Sequence, residues 1–293
     1  MTSDSSKPRL NGTAGAIVPG AAVRSAEERA PGNKAKTVFR GTLPAPARRK
    51  SADLPVSILL ATPSYGDTFC GEYVRSVMQL GRWAGSRKIK LATAFFDYAD
   101  IAATRNILLS LFWYRHTEAT HLLFMDDDMG LPPGLVEEAL ALNVDLCGAF
   151  YPKRALDVAR LHAAGDEPLP RALAQASGFV GTPAKPRVAR GRFVTATYIG
   201  TGFMLLSRAG LARLLEARPG LRARERYRGV LTDWEHPDFL TPFDRMTVKG
   251  REYSEDYAFC RRWRDAGMEI WAAEDADITH TGSYRYRAKL SDL

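Results

Sequence analysis

From Leu54 onward, short apolar runs alternate with stretches of helical spacing. Residues 56–62 form an apolar run that stops at Pro63, which predicts a buried strand. Phe69, Tyr73, Val77 and Leu80 recur at three- and four-residue intervals and predict a helix over 68–83, with a second strand following at 89–96. A helix over 101–114 leads to the short run 121–125, which ends abruptly in three aspartates. A proline-initiated helix over 132–142 precedes a strand at 144–150. Residues 152–192 carry several prolines and glycines and read as loops or a short ribbon. Periodicity returns at 193–207, in helices at 209–217 and 254–266, and in a last strand at 269–271.

Strands and helices in this alternation predict an α/β fold, a mostly parallel central sheet flanked by helices. Open sheets of that kind bind ligands in a crevice at the carboxyl ends of their strands. Residues 1–50 are different. Rich in Ala, Pro, Gly, Ser and basic residues, they lack the apolar side chains needed to offset the entropy of ordering, and they predict a disordered basic tail ahead of one domain over 51–293.

Charge sharpens that division. The formal net charge is +8, but residues 1–50 hold ten Lys or Arg against three acidic residues, leaving 31 basic and 30 acidic residues in the rest. A nucleic-acid reading of the whole body is thereby weakened. The seven arginines between Arg208 and Arg228 either meet phosphate or form a solvated helix face, and the solvated face is the favoured reading. No run approaches the roughly 18 to 20 apolar residues of a bilayer span, and the first thirty positions lack a signal-peptide core. Cys70, Cys147 and Cys260 lie far apart and read as buried thiols of a reducing compartment, so a cytoplasmic location is expected.

Four segments carry chemistry. Leu122-Leu123-Phe124-Met125-Asp126-Asp127-Asp128 delivers consecutive carboxylates to the strand end, where a hard divalent cation relieves their repulsion. If strand geometry persists, Asp126 and Asp128 share one side and Asp127 faces away; the alternative is an acidic turn before the next helix. In Tyr198-Ile199-Gly200-Thr201-Gly202-Phe203, Gly200 and Gly202 either let the backbone approach a ligand or only bend a strand. Ser254-Glu255-Asp256-Tyr257 opens a helix, where acids suit the dipole in any case. His280 follows the last strand, and a lone histidine is as readily structural as functional. Weaker candidates are Arg105-Asn106, Tyr151-Pro152-Lys153-Arg154, and the aromatics Trp234, His236 and Tyr284.

Taken in order, these segments make residues 54–284 resemble the GT-A glycosyltransferases, and in particular the family 2-like inverting transferases. The resemblance implies a Rossmann-like nucleotide-binding half joined to an acceptor half. It implies that Thr62, Pro63 and Tyr65, in the segment Ala61-Thr62-Pro63-Ser64-Tyr65-Gly66, hold the nucleotide, with Arg105, Asp126, Asp127, Gly200 and Gly202 completing the donor site. As in a DxD motif, Asp126 and Asp128, together with His280, would hold Mn²⁺ or Mg²⁺, and imidazole favours Mn²⁺. Asp256 would be the catalytic base, supported by Glu255.

The implied reaction moves a sugar from a UDP- or GDP-sugar to a hydroxyl of a glycan, a lipid-linked saccharide, a protein or a modified nucleic-acid base. The Gln-x-x-Arg-Trp segment of processive synthases is absent, which points to single additions. Two other readings stay open: a nucleotidyltransferase or metal phosphohydrolase, and a sugar- or nucleotide-binding module without catalysis.

Overall fold

Every residue of strand β1 (Ser57–Ser64) is buried, as a central strand covered on both faces requires. This computed structural model describes residues 55–227, 229–231 and 234–282. The tail expected over 1–50, and Tyr284, lie outside the described residues. Side-chain alternation along β1 splits it between two cores, with Leu59 and Ala61 in one and Ile58 and Leu60 in the other.

The remaining principal strands are β2 (Lys90–Asp97), β3 (His121–Phe124), β4 (Leu146–Ala149), β5 (Phe193–Tyr198), β6 (Met204–Ser207) and β7 (Ile270–Ala273). They lie in the order β2-β1-β3-β6-β4-β7-β5, and the short pairings of Thr182–Pro183 and Ala189–Arg190 with β5 extend the sheet to nine strands. Only β5 and β6 run against the rest. The sheet is therefore mostly unidirectional, as the alternation predicts.

Helices α1 (Gly71–Ser86) and α3 (Pro133–Leu142) cover one face, through Tyr73, Leu80, Leu135 and Val136. Helices α2 (Ile101–Ser110), α6 (Arg208–Ala217) and α7 (Glu255–Asp265) cover the other, through Leu108, Leu109, Leu211, Leu214, Phe259 and Trp263. Burying one such side chain contributes about 1.5–3 kcal/mol. Between α3 and β5 the structure departs from the sequence reading. A hairpin of Tyr151–Leu156 with Ser177–Val180 encloses two helices, α4 (Val158–Ala163) and α5 (Leu169–Ala176). At six and eight residues they are too short for helical periodicity to stand out.

A second departure concerns the expected helix over 101–114. α2 stops at Ser110, and the chain continues as a π-helical turn, Leu111–Arg115. Helix ends leave carbonyls unpaired, and here Arg208 supplies the donors, to the carbonyls of Phe112, Trp113, His116 and Ala119. Arg208 is thus an internal cap and no part of a solvated arginine face. Arg213 and Arg226 pair with Asp145 and Asp244. Cys147 and Cys260 are buried, and burial pushes both thiols up to about 12, while Cys70 is only partly covered and caps α1.

His121, at the start of β3, has its pKa lowered to about 4 by burial. Its folded value lies below the unfolded value of about 6.5, so between those limits the unfolded chain binds more protons and stability falls as pH falls. The full effect is on the order of 3 kcal/mol once pH reaches 4. Urea melts at pH 7 and pH 5 are expected to show this loss, and His121→Asn to flatten it; an unchanged pH slope in the variant would reject the assignment.

Candidate active site

Strand β3 ends at Phe124, and Met125 is fully buried, so Asp126, Asp127 and Asp128 emerge at the carboxyl edge of the sheet. They do not continue as a strand. The Met129 N–H bonds back to the Asp126 carbonyl at 3.1 Å, closing a turn that sends the three carboxylates in different directions.

Asp126 accepts from Arg105 Nη2 on both oxygens, at 3.1 and 3.2 Å. Arg105 lies in the first half of α2 with only 6% of its side chain exposed, and its other terminal nitrogen pairs with Glu255 at the start of α7. Burial works against the guanidinium charge, but Asp126, then Glu255 and Asp256, outweigh it and raise the pKa. Asp127 turns towards the loop after β1, near the Tyr65 backbone N–H, which works to lower its pKa. Burial, then the neighbouring Asp128 and Asp126, push Asp127 up to about 6.

Asp128 faces a different set. One oxygen pairs with Arg154 at 2.7 Å, and Oδ1 lies 3.5 Å from His280 Nε2. That separation is long for a hydrogen bond, and Oδ1 is buried without a hydrogen-bond partner. His280 Nδ1 stands 2.8 Å from the Pro152 carbonyl, which can only accept, so Nδ1 carries the proton. In the neutral ring Nε2 would turn a lone pair to the carboxylate oxygen; in the protonated ring it would turn an N–H to it. Burial lowers the His280 pKa, but Asp128 and the Pro152 carbonyl outweigh it and the net direction is upward. Among the described residues no three His, Cys, Asp or Glu side chains stand together as a metal site. Of Asp126, Asp128 and His280, the structure brings Asp128 and His280 together, while Asp126 is held by Arg105.

Asp256 is fixed by three donors. Ser254 Oγ and the Tyr257 N–H, at 2.8 Å, bond Oδ1, and the Tyr198 hydroxyl bonds Oδ2 at 2.6 Å. Burial and then Asp256 raise the Tyr198 pKa, so its phenol keeps its proton. At the end of β1, Thr62 is turned inward to the Tyr73 hydroxyl at 2.7 Å and Pro63 is buried, whereas Tyr65 in the loop beyond is 74% exposed. Gly66 adopts φ +70°, where glycine is favoured, and its N–H bonds Asp97 at 3.0 Å.

No protein-family model matches the chain, and no curated protein matches it in sequence. Among solved structures it is similar to A197 from STIV, at 13% identity and a TM-score of 0.40, over 80% of this chain and 98% of that one. It is also similar to the catalytic domain of Drosophila β1,4-galactosyltransferase 7 in complex with xylobiose, at 13% identity and a TM-score of 0.39, over 78% and 71% of the two chains. A third likeness, to a glycosyltransferase involved in glycosylation of the major capsid of PBCV-1, has 8% identity and a TM-score of 0.29 over 54% and 63%. At such scores, the reading of this site rests on its own side chains.

Gly200 and Gly202 face Tyr151, whose hydroxyl accepts from the Gly202 N–H at 3.0 Å. A Cβ on Gly200 would lie 2.3 Å from the Tyr151 hydroxyl oxygen, so a side chain of this protein already requires glycine there. Asn106 is also internal. It bonds the Tyr227 hydroxyl, Asp244 and the Phe243 N–H, so its amide is engaged inside the protein. Trp234 and His236 pack around Tyr114 beyond the end of α2, with Tyr114 and His236 stacked at 3.6 Å, away from the carboxylates. Lys153 is exposed. Sequence reasoning does not single out Tyr198. Its aromatic ring at a strand end looks like core, and only the fold brings α7 beneath it.

Proposed function

We propose that this protein is a metal-dependent glycosyltransferase that moves a sugar from a nucleoside-diphosphate sugar, with UDP or GDP as the nucleotide, to an acceptor hydroxyl. The observation that carries the reading is the Asp128–His280 pair, where a buried carboxylate oxygen without a hydrogen-bond partner stands 3.5 Å from the Nε2 of an imidazole anchored through Nδ1. Two acceptors so placed repel unless a proton or a cation stands between them. Backbone-anchored imidazole beside carboxylate is a common metal-binding arrangement. Asp128 and His280 would hold Mn²⁺ or Mg²⁺, with donor oxygens completing the shell. When bound, the ion supplies charge neutralisation for the departing diphosphate.

The remaining roles fall to the chain itself. Tyr65 is exposed at the rim of the β1 loop, where a nucleotide can lie against it. Arg105 holds Asp126 and Glu255 in place, so Glu255 acts in support of its neighbour Asp256. A carboxylate has about four lone-pair sites, and three on Asp256 are filled by Ser254, Tyr257 and Tyr198. The fourth is left for the acceptor hydroxyl. As that oxygen bonds to the anomeric carbon, its proton passes to Asp256 and the carbon–oxygen bond to the diphosphate breaks, which inverts the anomeric centre.

Thermal melts with UDP, GDP, dTDP and CDP, each with and without Mn²⁺, test the donor site. A ligand at about 100 times its dissociation constant adds roughly 2.7 kcal/mol, so one nucleotide is expected to raise the midpoint in the presence of Mn²⁺ only. No shift with any nucleotide would reject the reading. NMR of the product anomer then checks inversion.

A further inference from the structure

Tyr151 follows β4 and is 4% exposed. Its ring meets the His280 imidazole edge-on, with centroids 5.6 Å apart and planes at 79°. Its hydroxyl oxygen accepts from the Gly202 N–H at 3.0 Å, and the Gly200–Gly202 turn closes against the same oxygen so tightly that neither glycine has room for a Cβ.

We infer that Tyr151 is a positioning residue: it holds the His280 imidazole at its angle to Asp128 and fixes the Gly200–Gly202 turn against that same ring. This rests on the reading of Asp128 and His280 as metal ligands. The physical ground is that an imidazole anchored at Nδ1 alone still swings about that bond. The Pro152 carbonyl supplies the hydrogen bond, and the Tyr151 edge supplies the lateral wall. Glycine is needed at 200 and 202 because a methyl group there would collide with the phenol and displace the ring that lies against His280. Residues supporting a metal ligand commonly contribute 10- to 100-fold in metal affinity.

The test is Mn²⁺ binding, followed by electron paramagnetic resonance of free Mn²⁺, in the full chain and in Tyr151→Phe, Tyr151→Leu and Gly202→Ala. Tyr151→Phe keeps the wall and is expected to bind Mn²⁺ within about threefold of wild type. Tyr151→Leu removes the wall and is expected to raise the Mn²⁺ dissociation constant by about tenfold or more. Gly202→Ala, whose Cβ would lie 2.8 Å from the Tyr151 ring and hydroxyl, is expected to act in the same direction without being a ligand. A purely structural Tyr151 would lower the melting temperature and leave Mn²⁺ affinity alone. Wild-type affinity in folded Tyr151→Leu and Gly202→Ala would overturn the inference; should Tyr151→Leu not fold, Gly202→Ala decides alone. Wild-type protein that binds no Mn²⁺ would instead remove the metal site itself, and the positioning role with it.

Discussion

Asp128→Ala is expected to abolish Mn²⁺-dependent nucleotide binding and to lower turnover at least about 100-fold, while the protein stays folded. The loss follows from removing one of the two side chains proposed, among the described residues, to hold the ion. Retention of the fold follows from what Asp128 does in its absence. Oδ1 has no hydrogen-bond partner, and the other oxygen meets Arg154, whose side chain is 57% exposed. Ion pairs of that kind contribute about 0–1 kcal/mol. Asp126→Asn separates the two acids. Its oxygens face Arg105, so Mn²⁺ affinity is expected to stay within about threefold of wild type, while stability falls. Titration of both variants with Mn²⁺, alongside melting curves, checks this. If Asp126→Asn loses the ion and Asp128→Ala keeps it, the assignment of the pair is wrong.

The largest stability effect is expected at Arg105. Arg105→Met leaves Asp126 and Glu255 without their shared cation, close to Asp256, in a region where Glu255 is 8% exposed. Removing one partner from a buried ion pair costs about 3–5 kcal/mol, because the other charge is left uncompensated. Urea unfolding at pH 7 measures this directly. The double variant with Glu255→Gln is expected to recover part of the loss, since one of the two stranded charges is gone, and such coupling between contacting groups is what a double-mutant cycle reads. A cost under about 1 kcal/mol would mean that the triad is solvated rather than internal.

Much of the fold was legible in the chain because β1, β3 and β4 are short apolar runs, α1 and α7 are amphipathic at helical spacing and α3 opens on a proline. Burial on both faces leaves an uninterrupted apolar run, and burial on one leaves a stripe, so either pattern survives in one dimension. The helices α4 and α5 were not legible, being too short for a period to establish itself. The π-helical turn after Ser110 was not legible either, because its cap, Arg208, lies almost a hundred positions along the chain.

The same division runs through the site. That carboxylates stand at the carboxyl edge of β3, that acids open α7 and that a histidine follows the last strand are one-dimensional facts. Which of them meet is not. Asp126, the first acid of the triplet, turns to Arg105, Asp127 turns to the β1 loop, and only Asp128 turns to His280. A turn closed by the Met129 N–H sets those directions, and strand alternation does not extend into it. Gly200 and Gly202 were recognisable as places of close approach, but the group that approaches is Tyr151, brought there by the pairing of β4 with β6. The chain by itself determined which chemistry is present and at which edge of the sheet it emerges, since local pattern fixes both. Only the tertiary structure decided the distant partners, because Asp126 with Arg105, Asp128 with His280 and Asp256 with Tyr198 each join separate elements whose distances are set by packing across two cores.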